Sequence, residues 1–369
     1  MLDDGPSDAM NVLHLDAGLD FRGGQQQALH LAIGLSRAGV EQQLVLRSGG
    51  MFERRAAEAK LPFLTLPFRF EADLTSAVQL RAAIRRFQPQ IVHAHDARTL
   101  GIAAMTWAMG TRSRIIAARR VAFPLRKNPL TALKYRSVAQ RVVAVSQFVR
   151  QLLVASGVDL RRIDVVYDGF DRAGVTSKEK ARQRLGIPAD ACLVGCAGQF
   201  VAEKGHPSLI RAFAEVSQVI PNAILVIIGD GELKEDYLTL VQELDLEGKV
   251  LFPGFAPDLE SVLPALDLFV FPSLHEGLGS SLLIAMACDV PICASRTGGI
   301  PELIQDRKTG YLFNPGDTGA ITQTVLEALE SPGQRRSLAE AAAKDVIRKF
   351  SVERMVEATR EVYANVLRE

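Results

Sequence analysis

No stretch of the 369-residue chain approaches the roughly 18 uninterrupted apolar residues of a membrane-spanning helix, which excludes a helical span. Cysteine is scarce. Cys192, Cys196, Cys288 and Cys293 stand in apolar runs at spacings that fit no zinc site, so buried, reduced thiols in a reducing cytoplasm are expected. Aromatic residues make up only 6%, too few for a stacking surface, and no nucleic-acid-binding fold is legible, so no nucleic-acid partner is expected. The chain has no Gly-x-Gly-x-x-Gly triple and no Gly-Lys-Ser/Thr loop, which excludes the dinucleotide fingerprint and the P-loop. Acidic residues are missing altogether from Ala97 to Val158, against eleven Arg or Lys.

A chain of this length points to two domains, and 48% hydrophobic with 23% charged residues is ordinary for a globular enzyme. The near-neutral total hides an asymmetry. Residues 1–172 hold 24 basic and 15 acidic side chains, about +9, which leaves about −8 for the rest. Residues 1–9 are acidic, carry no signal-peptide pattern and read as flexible, a tag remnant or alternative start, with the folded part beginning at Met10.

Strand and helix patterns alternate from the start. Asn11 to Leu15 reads as a strand, Phe21-Arg22-Gly23-Gly24 as a glycine loop, and Leu29, Ile33 and Leu35 mark the helix after it. Another strand follows at Gln43–Leu46, so a parallel sheet is expected. Gly23-Gly24 lets a ligand approach the backbone; a plain turn is the simpler account. Ile91–His95 is a strand whose alternation puts His93 and His95 on one face, beside Asp96. A metal site is one reading. The better one is an end-of-strand cluster at the carboxyl edge, where open α/β sheets place ligands. Arg114–Arg120 is a strand with a basic end. A loop with Arg126 and Lys127 and a basic amphipathic helix around Lys134-Tyr135-Arg136 come next. The belt suits an anionic lipid surface or a phosphorylated acceptor, with a plain solvated face as the alternative.

Ile163–Asp171 closes the first domain, and Arg172 to Ala181 reads as a polar linker. Cys192–Gly198 is a buried strand leading to Gln199 and then Glu203-Lys204-Gly205-His206, and Ala223–Glu232 is a strand running into Gly229-Asp230-Gly231. A lysine on such a loop neutralises a diphosphate as a point charge. Lys249–Phe255 is a further strand, with Phe255 either stacked on a base or in the core. The central stretch is Leu268–Ala287: a buried strand, Pro272, a turn holding Glu276-Gly277-Leu278-Gly279, and a helix from Ser280. Backbone N–H groups at that helix start, with the positive end of its dipole, bind phosphate without a metal. Glu276, an anion on the same turn, suits hydroxyl groups better. The combination fits a nucleotide sugar.

That stretch resembles the signature of the family-4 retaining glycosyltransferases: Glu-Gly-(Phe/Leu)-Gly, four residues, then Glu-Ala-Met-Ala. Glu276 to Gly279 and Ala285-Met286-Ala287 match, while Ile284 stands where the family has a second glutamate, which meets the ribose. The resemblance runs from about Met10 onward. It includes Glu-Lys-Gly-His at residues 203–206, with Gln199 in place of the usual arginine, and Asp168-Gly169-Phe170-Asp171, with Asp168 in place of the usual asparagine. Where many members carry a histidine near the reaction centre, Arg119 or Arg120 stands here.

The resemblance implies the GT-B fold: two Rossmann-like, doubly wound α/β domains facing a cleft. Residues 10–172 would bind the acceptor, 173–351 the nucleotide sugar, and a final helix, 352–369, would return to the first domain. It implies a retaining hexosyltransferase that moves a sugar from a UDP- or GDP-linked donor to a glycolipid or oligosaccharide in lipopolysaccharide or other cell-surface polysaccharide synthesis. No cofactor or essential metal is expected, and the chain lacks the metal-holding Asp-x-Asp triplet of the other large glycosyltransferase fold. Glu276 and Lys204 are the expected catalytic residues. Gly23, Gly24, Gly198, Gln199, Lys204, Gly229, Gly231, Phe255, Glu276, Gly277, Leu278, Gly279, Ser280, Ser281 and Ile284 are the donor-side positions. His95, Arg119, Arg120, Arg126 and Lys127 face the acceptor. The protein is expected in the cytoplasm, peripherally on the inner membrane. A degenerate member that binds glycan or a partner without transfer, and a sugar-nucleotide epimerase, are the alternatives.

Overall fold

Short apolar strands buried on both faces require helices above and below them, and the chain supplies one after almost every strand. The computed structural model describes residues 10–170, 172, 174–188 and 190–369. The acidic leader 1–9, Asp171 at the end of the interdomain turn and Ala173 in the linker lie outside the described residues. The chain divides into an amino-terminal unit ending at Gly169 and joined by Val352–Glu369, and a carboxy-terminal unit, Phe170–Ser351.

The amino-terminal unit runs β1 (Asn11–Asp16), α1 (Gly23–Arg37), β2 (Glu41–Arg47), α2 (Met51–Glu58), β3 (Phe63–Leu66), α3 (Leu74–Phe87), β4 (Ile91–Ala94), α4 (Ala97–Ala108), β5 (Arg114–Arg119), α5 (Pro129–Leu133), β6 (Arg141–Ala144), α6 (Gln147–Ala155) and β7 (Ile163–Val165). Its seven strands are parallel, in the order β3-β2-β1-β4-β5-β6-β7. The strand order reverses between β1 and β4. Crevices at such reversals, outside the carboxyl ends of the strands, are where open α/β sheets bind ligands.

The carboxy-terminal unit runs α7 (Lys178–Leu185), β8 (Cys192–Ala197), α8 (His206–Val219), β9 (Ala223–Ile228), α9 (Lys234–Glu243), β10 (Val250–Gly254), β11 (Leu268–Phe271), α10 (Ser280–Ala287), β12 (Ile292–Ser295), α11 (Ile300–Leu303), β13 (Tyr311–Phe313), α12 (Thr318–Glu330) and α13 (Pro332–Lys349). Its six parallel strands are ordered β10-β9-β8-β11-β12-β13, reversing between β8 and β11. The last helix, α14 (Val352–Arg368), packs Met355, Val356, Val362, Tyr363 and Val366 into the core of the amino-terminal unit beside Leu31 and Leu35 of α1. At Gly34 a Cβ would come within 2.3 Å of Val356 Cγ2, so the two helices meet at a position with room for no side chain.

Three local expectations change. The span read as linker already turns helical at Lys178, because Ser177 caps α7 by accepting from the Lys180 N–H. The buried face of α1 is Gln27, Ala28, Leu31, Ala32 and Leu35, while Leu29 and Ile33 are only partly buried. The basic amphipathic helix shrinks to the five residues of α5 and a π-helical turn, Lys134–Val138. There Lys134 and Tyr135 are buried, Lys134 pairs with Glu71, and Arg136 is bonded to the Ser156 carbonyl. Part of the basic belt is therefore internal. No helix among the described residues is long and apolar enough to cross a membrane.

Candidate active site

β11 is fully buried and ends at Pro272, which has no N–H to extend the ladder. The turn that follows is held at several points. The Leu274 N–H donates to the Glu203 carbonyl (2.7 Å), Thr297 Oγ1 donates to the Leu274 carbonyl (3.0 Å), and the Gly299 N–H donates to the Glu276 carbonyl (3.1 Å). At Gly298, φ is +56° and a Cβ would stand 1.9 Å from the Glu276 carbonyl oxygen. Only glycine lets the chain approach Glu276 this closely.

With its backbone clamped, Glu276 extends its side chain to Lys204, which arrives from the neighbouring strand β8 across the sheet reversal. Lys204 Nζ donates to Glu276 Oε2 at 2.6 Å, and Ser273 Oγ donates to the same oxygen at 3.3 Å. Lys204 also lies 5.5 Å from the centroid of the Phe271 ring, within cation–π range. The two side chains are 25% and 13% exposed, so the pair is shielded yet reachable. The ammonium expected for a diphosphate and the carboxylate expected for hydroxyls thus hold each other in the free protein.

Beside the pair, α10 opens at Gly279 (φ +107°), with no side-chain cap and no acid in its first turn. Its leading amides have no partner within the helix. Ser281 Oγ donates to the Ala197 carbonyl at 3.2 Å, tying this helix start to the end of β8. Gly277 and Leu278 complete the turn, and Leu278 is buried. Gly198, Gln199, Gly229 and Gly231 lie on the adjoining ends of β8 and β9, where the Gly198 N–H donates to Ile228 and the Gly229 N–H to Gly254. Ile284 is buried in α10, 3% exposed, and offers no polar atom. Phe255 is 51% exposed just past β10, so it is no core residue. Among the described residues no hydrogen bond, ion pair or ring contact links it to the Lys204–Glu276 pair.

A second polar cluster occupies the corresponding reversal of the amino-terminal sheet. β1 and β4 are in register with His14 opposite His93. His14 Nδ1 lies 3.0 Å from His95 Nε2, and His93 Nδ1 lies 2.7 Å from the Tyr363 hydroxyl of α14. Arg120 Nη1 stands 3.5 Å from His95 Nδ1, and Arg120 Nε donates to Asp168 Oδ1 at 3.2 Å. Arg120 and Asp168, two departures from the family pattern, therefore face each other. Gly23 and Gly24 start α1 here; a Cβ on Gly24 would be 4.0 Å from Arg120 Cδ. Arg119 turns elsewhere, donating to the Phe123 carbonyl (2.7 Å) beside the Tyr135 ring. Arg126 and Lys127 are exposed on the loop and form no ion pair among the described residues. The sheet brings His95 and Arg120 together and leaves Arg119, Arg126 and Lys127 apart.

Two members of this cluster escape the sequence reading: His14 and Asp16. The available signal is two polar residues at alternate positions in the apolar run Val12–Asp16, at a strand's carboxyl end. Asp16 accepts from the Gly18 N–H (2.8 Å) and from Gln25 Nε2 (3.2 Å), and burial, reinforced by Asp96, pushes its pKa up to about 7. Burial drives the three histidines the other way, His14 to about 3 and His93 and His95 well below the ordinary value. Their ligand nitrogens all lie within 4.8 Å of one another. A zinc ion with bonds of about 2.1 Å keeps tetrahedral ligands roughly 3.4 Å apart, so His14 Nδ1 and His95 Nε2, 3.0 Å apart and hydrogen-bonded, would have to separate to take one.

These shifts set a pH dependence. Between pH 3 and 6.5 the unfolded chain binds more protons at the histidines than the folded one, so their contribution is complete above pH 6.5 and lost as pH falls. Asp16 acts oppositely: its raised pKa contributes stability below about pH 4 that is lost as pH rises through 7. Three histidines outweigh one carboxyl. Trp107, the one tryptophan, lies in α4 and reports this unit by fluorescence. Going from pH 7 to 5 should lower its unfolding free energy, with His14 alone supplying about 2 kcal/mol. His14→Gln should flatten the slope; an unchanged slope contradicts the assignment.

The sequence descriptions that match the chain are "Glycosyltransferase Family 4" over residues 21–173 and "Glycosyl transferases group 1" over residues 177–345. The lipopolysaccharide core biosynthesis glycosyltransferase LpsE of Rhizobium meliloti is 27% identical, over 96% of this chain and 99% of its own length. The 2-deoxystreptamine N-acetyl-D-glucosaminyltransferase of Streptomyces fradiae is 29% identical, over 92% and 91%. In fold, the chain is similar to the Anabaena protein Alr3699/HepE, solved in complex with UDP and glucose: TM-score 0.87 at 22% identity, covering 96% of this chain and 99% of that one. Two parallel Rossmann-like sheets, the motifs at their reversals and these matches agree: the chain belongs to the family-4 glycosyltransferases of the GT-B fold.

Proposed function

We propose that the protein is a retaining hexosyltransferase that moves a sugar from a nucleotide-diphosphate donor to a glycolipid or oligosaccharide acceptor in lipopolysaccharide core or related cell-surface polysaccharide synthesis. The observation that carries this is the Lys204–Glu276 pair beside the uncapped start of α10. As the bond from the anomeric carbon to the diphosphate breaks, negative charge grows on the phosphate oxygens. Lys204 and the leading amides of α10 are aimed to stabilise that charge where it develops. The arriving diphosphate draws Lys204 away from Glu276, which frees the carboxylate to accept from sugar hydroxyls. With an ammonium and backbone amides in these places, the reaction needs no metal and no cofactor. The name of LpsE supports the acceptor class, and the UDP in the Anabaena relative supports a UDP-linked donor over a GDP-linked one.

We place the work at the cytoplasmic face of the inner membrane. Phe123 (44% exposed), Leu130 (73%) and Leu133 (47%) flank Arg126 and Lys127, and the Lys134–Glu71 pair brings exposed Phe70 and Leu74 near α5. Apolar side chains beside uncompensated cations suit an anionic lipid surface. The buried Ile284 favours a second reading, a degenerate member that binds without transferring, because the ribose-binding carboxylate of the family pattern is missing. Calorimetric titration with UDP and GDP separates the two: binding of neither supports the degenerate reading.

With a panel of nucleotide sugars, the wild type should hydrolyse or transfer at least one donor, and EDTA should leave the rate unchanged. Glu276→Gln and Lys204→Met should each lower kcat about 10²- to 10³-fold. Wild-type rates in either variant contradict the assignment. The protein should co-sediment with vesicles containing phosphatidylglycerol, less so at high salt, and Leu130→Ser with Lys127→Ser should weaken this about tenfold. Sedimentation independent of lipid charge contradicts the membrane placement.

A further inference from the structure

The histidine cluster has a direction that follows from one fact: a guanidinium only donates hydrogen bonds. The contact between Arg120 Nη1 and His95 Nδ1 therefore requires a lone pair on His95 Nδ1. A neutral His95 then carries its hydrogen on Nε2, which points at His14 Nδ1, 3.0 Å away. His14 Nδ1 must accept, so the His14 hydrogen lies on Nε2, a buried atom with no hydrogen-bond partner among the described residues. The opposite tautomers leave two lone pairs or two hydrogens facing each other. A single arginine thus fixes the proton positions of two buried rings, and they in turn fix the arginine.

This chain of bonds also decides against a three-histidine metal site. His95 spends its lone pair on Arg120 and His14 spends its own on His95. His93, bonded through Nδ1 to Tyr363, and His14 each keep a buried Nε2 without a hydrogen-bond partner, but on His14 that nitrogen carries the hydrogen and has no lone pair to offer. An ion would have to displace both internal bonds and sit beside a permanent guanidinium charge.

Arg120 is gripped on two edges, Nε by Asp168 and Nη1 by His95, and its side chain is still 18% exposed. Nη2 has no partner among the described residues. A guanidinium held by two of its edges has lost most of its rotamer freedom before any ligand arrives.

We infer that His95 and His14 are positioning residues whose fixed tautomers, with Asp168, aim the free edge of Arg120 at a phosphate oxygen of the substrate. This deepens the proposed function and rests on the expectation that residues 10–172 bind the acceptor. The phosphate belongs either to the donor diphosphate or to a phosphorylated acceptor.

The test is long-range 1H–15N spectroscopy of the ring nitrogens in full-length protein labelled at histidine, at pH 7. His95 and His14 should each show a protonated Nε2 and an unprotonated Nδ1, and Arg120→Met should remove this preference at His95. Inorganic phosphate should move the His95 Nδ1 signal in the wild type and not in Arg120→Met. UDP moving the same signal assigns the phosphate to the donor; glycerol 1-phosphate moving it while UDP does not assigns it to the acceptor. His95→Ala should weaken glycerol 1-phosphate or UDP binding about tenfold, and His95→Gln, whose amide oxygen can accept from Arg120, should restore most of it. A hydrogen on His95 Nδ1, a charged His95, or a His95 signal indifferent to all three phosphates overturns the inference. The tautomer result holds or fails independently of sugar transfer, so a failed assay and a failed relay are distinguishable.

Discussion

An ammonium and a carboxylate 2.6 Å apart, at the point where the order of a parallel sheet reverses, are the constraint around which the carboxy-terminal unit is built. Lys204 and Glu276 come from loops after adjacent strands, β8 and β11. Open α/β sheets bind ligands outside the carboxyl ends of the strands at such a reversal, which is where both side chains stand. The surrounding features keep the two loops in register: the Gly298 approach to the Glu276 carbonyl, the Leu274 bond to Glu203, and the Thr297 hydroxyl on Leu274. A shielded pair of this kind is weak evidence for stability. Under the proposed function, its value is that it keeps two charges satisfied until a diphosphate competes for one of them.

The amino-terminal sheet repeats the architecture with different chemistry. Its reversal lies between β1 and β4, and the polar side chains gathered there are neutral imidazoles, a protonatable Asp16 and one anchored guanidinium. Burial keeps the rings uncharged, so the cluster can sit inside a core without counter-ions. Tyr363 closes it from α14, which makes the last helix part of the support for that edge as well as for the apolar core.

Much of this was legible in the sequence because it is written locally. Apolar runs bounded by glycine and proline located the strands, and the Glu276–Gly279 turn before an apolar-periodic helix marked α10. The Lys204–Glu276 bond was not legible, since the residues lie 72 positions apart and meet only through the β8–β11 pairing. His14 was missed for the same reason: its partner, His95, lies 81 residues away. The basic belt misled because a sequence shows charge but not its partner. Lys134 is buried against Glu71, whereas Arg126 and Lys127 remain exposed. Of the two candidate arginines at the end of β5, only the three-dimensional neighbours Asp168 and His95 single out Arg120.

The central claim is that Glu276 holds Lys204 in reserve for the diphosphate, and calorimetric titration of UDP into the wild type and into Glu276→Gln tests it most directly. Removing the carboxylate charge releases the ammonium without touching the α10 amides. UDP, which has no sugar for Glu276 to orient, should therefore bind the variant several-fold to about tenfold more tightly, roughly 1 kcal/mol. Unchanged or weakened UDP binding would contradict the account, because Lys204 would then not be the group that Glu276 withholds.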